Sequence, residues 1–150
     1  MVTQATVSLF IAAPPAVVWA WVGDITKHAD WSPKPYRVEL VSGELNAAGS
    51  RYRSVGWVPP NDGEHENDVQ LIEVVPERSL VLHATESSGT FTNSFHLAPT
   101  VEGTDVTYHL AFPRMTGVAA LMVAILFPIV GKSDIRKRMQ LLKGKAESSV

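Results

Sequence analysis

Three histidines in this chain have the type and placement that could hold a metal ion. His83, His96 and His109 fall in what the sequence pattern predicts to be successive strands. Because side chains alternate along a strand, all three share the polar face of the predicted sheet, and no metal-binding spacing such as HExxH accompanies them. We therefore expect solvent-facing histidines, with no metal and no other cofactor.

Motifs for nucleophilic catalysis and for phosphate binding are missing from the sequence. The 150 residues contain no cysteine, which excludes disulfide scaffolds, thiolate metal sites and cysteine nucleophiles. No GxSxG, P-loop or GxGxxG pattern occurs. We predict no catalytic residue.

Two charged clusters remain. The acidic run at residues 62–68 lacks the fixed spacing of a calcium loop, and we expect a solvated loop at the mouth of a cavity. Arg51 and Arg53 alternate along a predicted strand and should lie on the outer face, because burying an unpaired guanidinium is costly. A shifted register would instead turn Arg53 toward an acidic ligand.

The elements that position these side chains follow from the apolar pattern. A strand at residues 2–11 precedes a helix that begins at Pro14 and Pro15 and ends at Gly23, and Asp24 caps a second short helix that ends at residues 31–33. Alternation with short turns predicts six more strands, at residues 36–41, 50–58, 68–75, 79–86, 90–97 and 105–112. A helix follows at residues 116–146. This order predicts an α+β fold in which a seven-stranded antiparallel sheet wraps around a long C-terminal helix.

Tight turns at residues 88–89 and 101–102 would pair His83 with Ser94 and Ser94 with His109, and paired residues share a face. That face is polar. The opposite face is apolar in three strands at once and is predicted to point inward; it carries Leu80, Leu82, Ala84, Phe91, Asn93, Phe95, Leu97, Val106, Tyr108, Leu110 and Phe112. Its polar members, Asn93 and Tyr108, either bond within the core or orient the polar end of a ligand.

Four segments carry a resemblance to a known family. They are residues 14–19 (PPAVVW), 24–33 (beginning DI and ending WSP), 73–80 (EVVPERSL) and 95–106 (FHLAP, then GTDV). In order and spacing they resemble the START-like (SRPBCC) superfamily, in its polyketide cyclase/dehydrase group, which shares the fold of the birch pollen allergen. The resemblance implies a helix-grip fold with a cavity for lipids, isoprenoids, polyketides or similar molecules. It implies no single reaction and transfers no catalytic residue.

The C-terminal helix departs from that pattern. Residues 115–131 carry no charge and are apolar on all sides, Pro128 interrupts the helix, and a basic amphipathic end follows with Ile135, Met139 and Leu142 as its apolar positions. We favour an apolar stretch that lies deep in the grip and lines the cavity. The alternatives are contact with a membrane, in which the basic end meets anionic headgroups, a transmembrane span, for which 17 uncharged residues are barely long enough, and an exposed surface that forms a homodimer.

These observations predict a single START-like domain over residues 1–150 that binds or carries a small hydrophobic molecule in an internal cavity. The predicted ligand-binding residues are Leu82, Phe91, Asn93, Phe95, Tyr108, Leu110, Phe112, Leu121, Met122 and Ile125. The alternatives are a polyketide cyclase or dehydratase and a peripheral membrane or lipid-transfer module. Residues 1–131 carry seven basic and thirteen acidic side chains, so no nucleic-acid partner is expected. The first residues lack a secretory signal pattern, so we expect a cytoplasmic protein, with association with a membrane as the alternative.

Overall fold

Seven β-strands form one antiparallel sheet in the order β1-β7-β6-β5-β4-β3-β2. The computed structural model describes the backbone of residues 4–58 and 61–150 and the side chains of residues 4–56 and 64–150. The strands are β1 (Gln4–Ile11), β2 (Tyr36–Ser42), β3 (Arg51–Val58), β4 (Asn61–Val75), β5 (Ser79–Glu86), β6 (Gly89–Pro99) and β7 (Thr104–Ala111). With a helical segment at the C-terminus, this is the predicted α+β helix-grip architecture.

Two short helices lie between β1 and β2. Helix α1 (Pro15–Val22) begins with proline in its first turn. The second is a 3₁₀ helix (Ile25–Trp31), in which the side chain of Asp24 accepts a hydrogen bond from Thr26 N at 3.1 Å. Because a 3₁₀ helix has three residues per turn, Ile25, His28 and Trp31 share one face, and all three are buried.

The predicted inner face of the central strands is confirmed. Residues 87–88 form the turn that pairs Glu86 with Gly89, whose φ of +132° suits glycine. His83 pairs with Thr92 rather than with Ser94, whereas Ser94 pairs with His109 as expected. Since the difference at His83 is two residues, the same side chains still face inward.

The acidic run is not a loop, which corrects our prediction. Strand β4 includes it, and Glu64, Glu66 and Asp68 are ion-paired with arginines of β2 and β3. The shortest of these pairs joins Arg53 Nε and Glu66 Oε1 at 2.8 Å. Arg53 is therefore on the exposed outer face and does not point toward a ligand. The side chain of Asp62 lies outside the described residues.

The C-terminal helical segment has three parts. Helix α2 (Gly117–Leu126) continues into a π-helical turn (Phe127–Gly131), and helix α3 (Lys132–Ser148) follows. Pro128 lies in the π-helical turn, where a residue without a backbone N–H interrupts the α-helical hydrogen bonds.

Helix α3, rather than the apolar stretch, occupies the grip of the sheet. Its buried residues are Ile135, Met139, Leu142 and Ala146. No residue of α2 is buried. The prediction that the apolar stretch lies deep in the grip is therefore wrong, and the basic end of the helix takes that place.

Candidate functional site

A cavity of about 190 Å³ lies between the inner face of the sheet, the 3₁₀ helix and α3. Its apolar wall comes from β4, β5 and β6 and consists of Val69, Leu82, Ala84 and Phe95. The polar side chains around it are His28, Ser32, Tyr36, Ser54, Asn67, Asn93 and Arg138. The cavity is thus of mixed polarity, whereas the sequence predicted a mainly apolar one.

The side chain of Arg138 extends from α3 to the wall of the cavity, and its guanidinium lies over two aromatic rings. Its guanidinium carbon lies 4.6 Å from the centroid of the Trp31 ring and 6.0 Å from that of Phe95. Contacts of this kind between a cation and an aromatic face are attractive. The rings therefore hold the guanidinium in place without neutralising its charge.

His28 is the neutral partner of Arg138. Its Nε2 donates to the carbonyl oxygen of Val22 at 2.7 Å, so Nδ1 is the acceptor that faces Arg138 Nη2 at 3.4 Å. Burial, and then the charge of Arg138, lower the pKa of His28 to about 3. Both ring nitrogens of His28 are consequently engaged, and the side chain is uncharged at neutral pH.

Tyr108 and Asn93 form a buried polar pair. The hydroxyl of Tyr108 donates to Asn93 Oδ1 across β6 and β7. Burial raises the pKa of Tyr108, so its hydroxyl keeps its proton. Of the two, Asn93 borders the cavity and Tyr108 supports it from behind.

The structure brings only part of the predicted set together. Leu82, Asn93 and Phe95 line the cavity. Phe91 and Phe112 belong to a separate aromatic cluster, in which the ring of Phe112 lies 5.3 Å from that of Phe91 and 4.6 Å from that of Phe127. Leu110 packs against the core without lining the cavity.

The three predicted residues on α2 lie away from the cavity. Leu121, Met122 and Ile125 are 59%, 43% and 55% exposed, respectively. Because α2 is outside the grip, these side chains do not line the cavity as predicted. They belong to an exposed apolar surface, defined here as the α2 surface, which consists of Val118, Leu121, Met122, Ile125, Ile129 and Val130.

Apart from Asn93, sequence reasoning missed the polar side of the cavity, although three spacings indicated it. Arg138 is three residues after Ile135 and four before Leu142, so a helix places it on the buried face. His28 is three residues from both Ile25 and Trp31, which is the period of a 3₁₀ helix. In β3, Ser54 is two residues after the buried Tyr52, so its side chain lies on the same face of the sheet.

On the outer face of the sheet, the strand histidines lie among polar neighbours. His109 Nδ1 is 2.8 Å from the hydroxyl of Thr6 on β1. Among the residues that the structure describes, no cluster of three metal-ligating side chains occurs.

A seven-stranded antiparallel sheet that closes over a C-terminal helix, with a cavity between the two, defines the helix-grip class of proteins. Residues 2–147 match the family described as polyketide cyclase / dehydrase and lipid transport, and the chain belongs to that family. No curated protein matches the sequence.

Solved structures share this fold at low sequence identity. TTHA0849 from Thermus thermophilus superposes with a TM-score of 0.76 and 15% identity, over 98% of this chain and 99% of that chain. SA2116 from Staphylococcus aureus gives 0.75 and 11%, over 99% and 96%. The di-domain ARO/CYC StfQ from the steffimycin biosynthetic pathway gives 0.77 and 15%, and the match covers 99% of this chain but 52% of that one.

Proposed function

We propose that the protein binds a small, partly polar organic molecule in the cavity beneath α3. The observation that carries this proposal is the cavity itself, a space of about 190 Å³ with one apolar wall and converging polar groups. Small-ligand sites combine apolar lining, which contributes most of the contact area, with polar groups that fix the orientation of the ligand, and this cavity has both, although its polar share is large. The family match, which includes lipid transport in its description, supports a role in binding.

The size of the cavity limits the ligand. At about 190 Å³, it lies below the roughly 300–1,000 Å³ usual for pockets that enclose drug-sized molecules. A cavity of about 150 Å³ is known to hold benzene. We therefore favour a molecule with a single ring or a short chain over a long-chain lipid or a large polyketide.

A cavity-filling substitution tests this proposal. Ala84 lines the cavity from β5, and its neighbour Thr85 is exposed on the other face of the same strand. Benzyl alcohol should raise the melting temperature of the wild-type protein and of Thr85→Leu, but not that of Ala84→Leu. Native mass spectrometry and organic extraction would then identify any molecule that co-purifies. Equal stabilisation of both variants would refute binding in this cavity.

An enzymatic role is the alternative that the family description raises. A cyclisation or dehydration needs a group that can accept or donate a proton near neutral pH. His28 is engaged at both nitrogens and has a pKa of about 3, so it is poorly suited to that task. We therefore favour binding. Conversion of the co-purifying molecule by the wild-type protein, lost in Ala84→Leu, would favour catalysis instead.

We also propose that the α2 surface attaches the protein to an anionic lipid bilayer. The helix from Gly117 to Ser148 is long and apolar enough, by length and composition alone, to cross a membrane, and 6% of its most apolar window is buried. Arg114 precedes the uncharged residues 115–131, and Lys132, Arg136 and Lys137 follow them. Basic side chains beside an apolar helix favour anionic headgroups.

Attachment to the surface of the bilayer fits this structure better than a transmembrane span. Because α3 belongs to the core and Phe127 packs against Phe112, at most residues 115–131 could enter the bilayer, and as a helix they reach about 26 Å, short of the roughly 30 Å hydrocarbon core. A homodimer through the same surface would bring the basic flanks of two copies together, which like-charge repulsion opposes.

Cosedimentation with vesicles tests the attachment. The full chain should bind phosphatidylcholine vesicles that contain phosphatidylglycerol, and Ile125→Asp should bind about tenfold more weakly because a carboxylate resists insertion. Leu141→Asp adds the same charge at an exposed position of α3 and should bind like the wild type. If Ile125→Asp binds equally well, the attachment is refuted. A dimer in sedimentation analysis that Ile125→Asp abolishes would assign the surface to a second copy.

A further inference from the structure

Arg138 brings a positive charge to the cavity without a carboxylate to balance it. Among the described residues, its five N–H groups have one acceptor, His28 Nδ1, and its Nε is buried with no hydrogen-bond partner. The side chain as a whole is half-buried, and a charge that is partly removed from water without a counter-ion is destabilised, so proteins usually pair such groups. The cavity therefore contains an unusual cation whose partner is not supplied by the described protein groups.

Nearby acidic side chains are committed elsewhere. Asp134, one turn before Arg138 on α3, pairs with Lys34 at 3.3 Å. Three carboxylates of β4, those of Glu64, Glu66 and Asp68, pair with the arginines of the outer face, as described above. No described carboxylate is within ion-pair distance of Arg138, so its charge is available to a bound anion.

The surroundings of Arg138 orient its guanidinium instead of neutralising it. Trp31 and Phe95 present aromatic faces, and His28 accepts one N–H through its neutral ring. An arginine held by packing has less side-chain freedom to lose when a ligand binds. This arrangement is suited to recognise a planar anion through the remaining N–H groups.

We propose that Arg138 binds the carboxylate of a small organic acid, with the apolar part of that acid against Leu82, Ala84 and Phe95. The proposal rests on ligand binding in the cavity and names its ligand class. An acid of the size of benzoate fits, because the cavity of about 190 Å³ is larger than the roughly 150 Å³ that holds benzene. The apolar wall favours an organic acid over inorganic phosphate, which would gain nothing from it.

Titration calorimetry with matched probes tests the proposal. Benzoate and benzamide have nearly the same shape, but only benzoate is an anion. We expect the wild-type protein to bind benzoate at least tenfold more tightly than benzamide, and inorganic phosphate more weakly than benzoate. The Arg138→Gln substitution should weaken benzoate binding by about tenfold to a hundredfold, the effect of one charge-assisted hydrogen bond or slightly more.

The control variant is Arg78→Gln, which removes the same charge from an exposed turn between β4 and β5. It should bind benzoate like the wild type, and circular dichroism would verify that both variants are folded. The comparison of benzoate with benzamide needs no variant, so a misfolded Arg138→Gln would not prevent a decision.

The outcomes separate this proposal from the proposed function. If benzamide and benzyl alcohol bind but benzoate binds no better, the cavity is a ligand site and the carboxylate proposal is wrong. If phosphate binds as tightly as benzoate, the site recognises anions without using its apolar wall, which also overturns the proposal. If no probe binds at millimolar concentration, both proposals fail.

Discussion

Helices α2 and α3 are consecutive parts of one C-terminal segment, yet the more apolar helix, α2, is the exposed one and the more charged helix, α3, is the one that packs in the core. Residues 115–131 have no charge, and none of the residues in α2 is buried. Residues 132–150 contain six basic and two acidic side chains, and α3 supplies four core residues. The average polarity of a helix therefore does not indicate which part the sheet encloses.

The spacing of apolar residues explains the difference. Ile135, Met139, Leu142 and Ala146 recur every three or four residues, so they form one stripe that the sheet can cover while the charged side chains stay in solvent. Helix α2 has no polar face, and any packing against the sheet would leave apolar side chains exposed on its other side. The sheet therefore encloses the amphipathic helix and leaves the all-apolar helix exposed, where we propose that it contacts lipid.

The largest expected effect concerns matched leucine truncations in the two helices. Leu142 is fully buried in α3, and Leu142→Ala should lower the free energy of unfolding by about 2–5 kcal/mol. Leu121 is 59% exposed in α2, and Leu121→Ala should change it by less than about 0.5 kcal/mol. Urea denaturation of both variants measures the contrast. Similar losses in the two variants would mean that α2 packs in the grip after all.

The strands show how much of this fold could be predicted from the sequence. Alternation in β5, β6 and β7 and the short turns between them are local signals, so the inner face from Leu80 to Leu110 could be predicted. The acidic run was misassigned because its charges are balanced by arginines on β2 and β3. Such pairing between strands is invisible in a linear pattern.

The cavity was predicted less well than the fold. Overall hydrophobicity drew attention to α2, whereas the three- and four-residue spacings around Arg138 placed it on the buried face of α3. A charged residue at an inner position conflicts with the usual cost of burial, so Arg138 was not predicted from the sequence as a cavity residue. Its aromatic support comes from Trp31 and Phe95, which are far apart in the sequence and meet only in the folded chain.

Acid pH should lower the free energy of unfolding through His28, which lies beneath α3 and contacts Arg138. Folded His28 has a pKa of about 3, below the ordinary value of 6.5, so between these values only the unfolded chain takes up the proton. Stability should therefore fall as the pH drops, by about 2–3 kcal/mol from pH 6.5 to 4.5. Urea denaturation across this range should give a smaller slope for His28→Gln.

The exposed His96 of the outer face provides the matched control, and His96→Gln should retain the slope of the wild type. An unchanged slope in His28→Gln would show that other groups carry the pH dependence and that His28 is not held neutral beneath α3. Helix α2 has no titratable side chain, so the pH range does not alter its charge.

The smallest expected effect concerns the exposed basic residues of α3, which could serve membrane binding or the stability of the fold. Arg136 and Lys137 are exposed on α3, outside the stripe of core residues. Replacing both with glutamine should weaken binding to anionic vesicles by about 1 kcal/mol per charge, and 0.5 M salt should remove most of the difference. The free energy of unfolding should change by less than about 0.5 kcal/mol, since neither side chain is in the core. If vesicle binding is unchanged while stability falls, the charges of α3 serve the fold, and the contrast with α2 is one of packing alone.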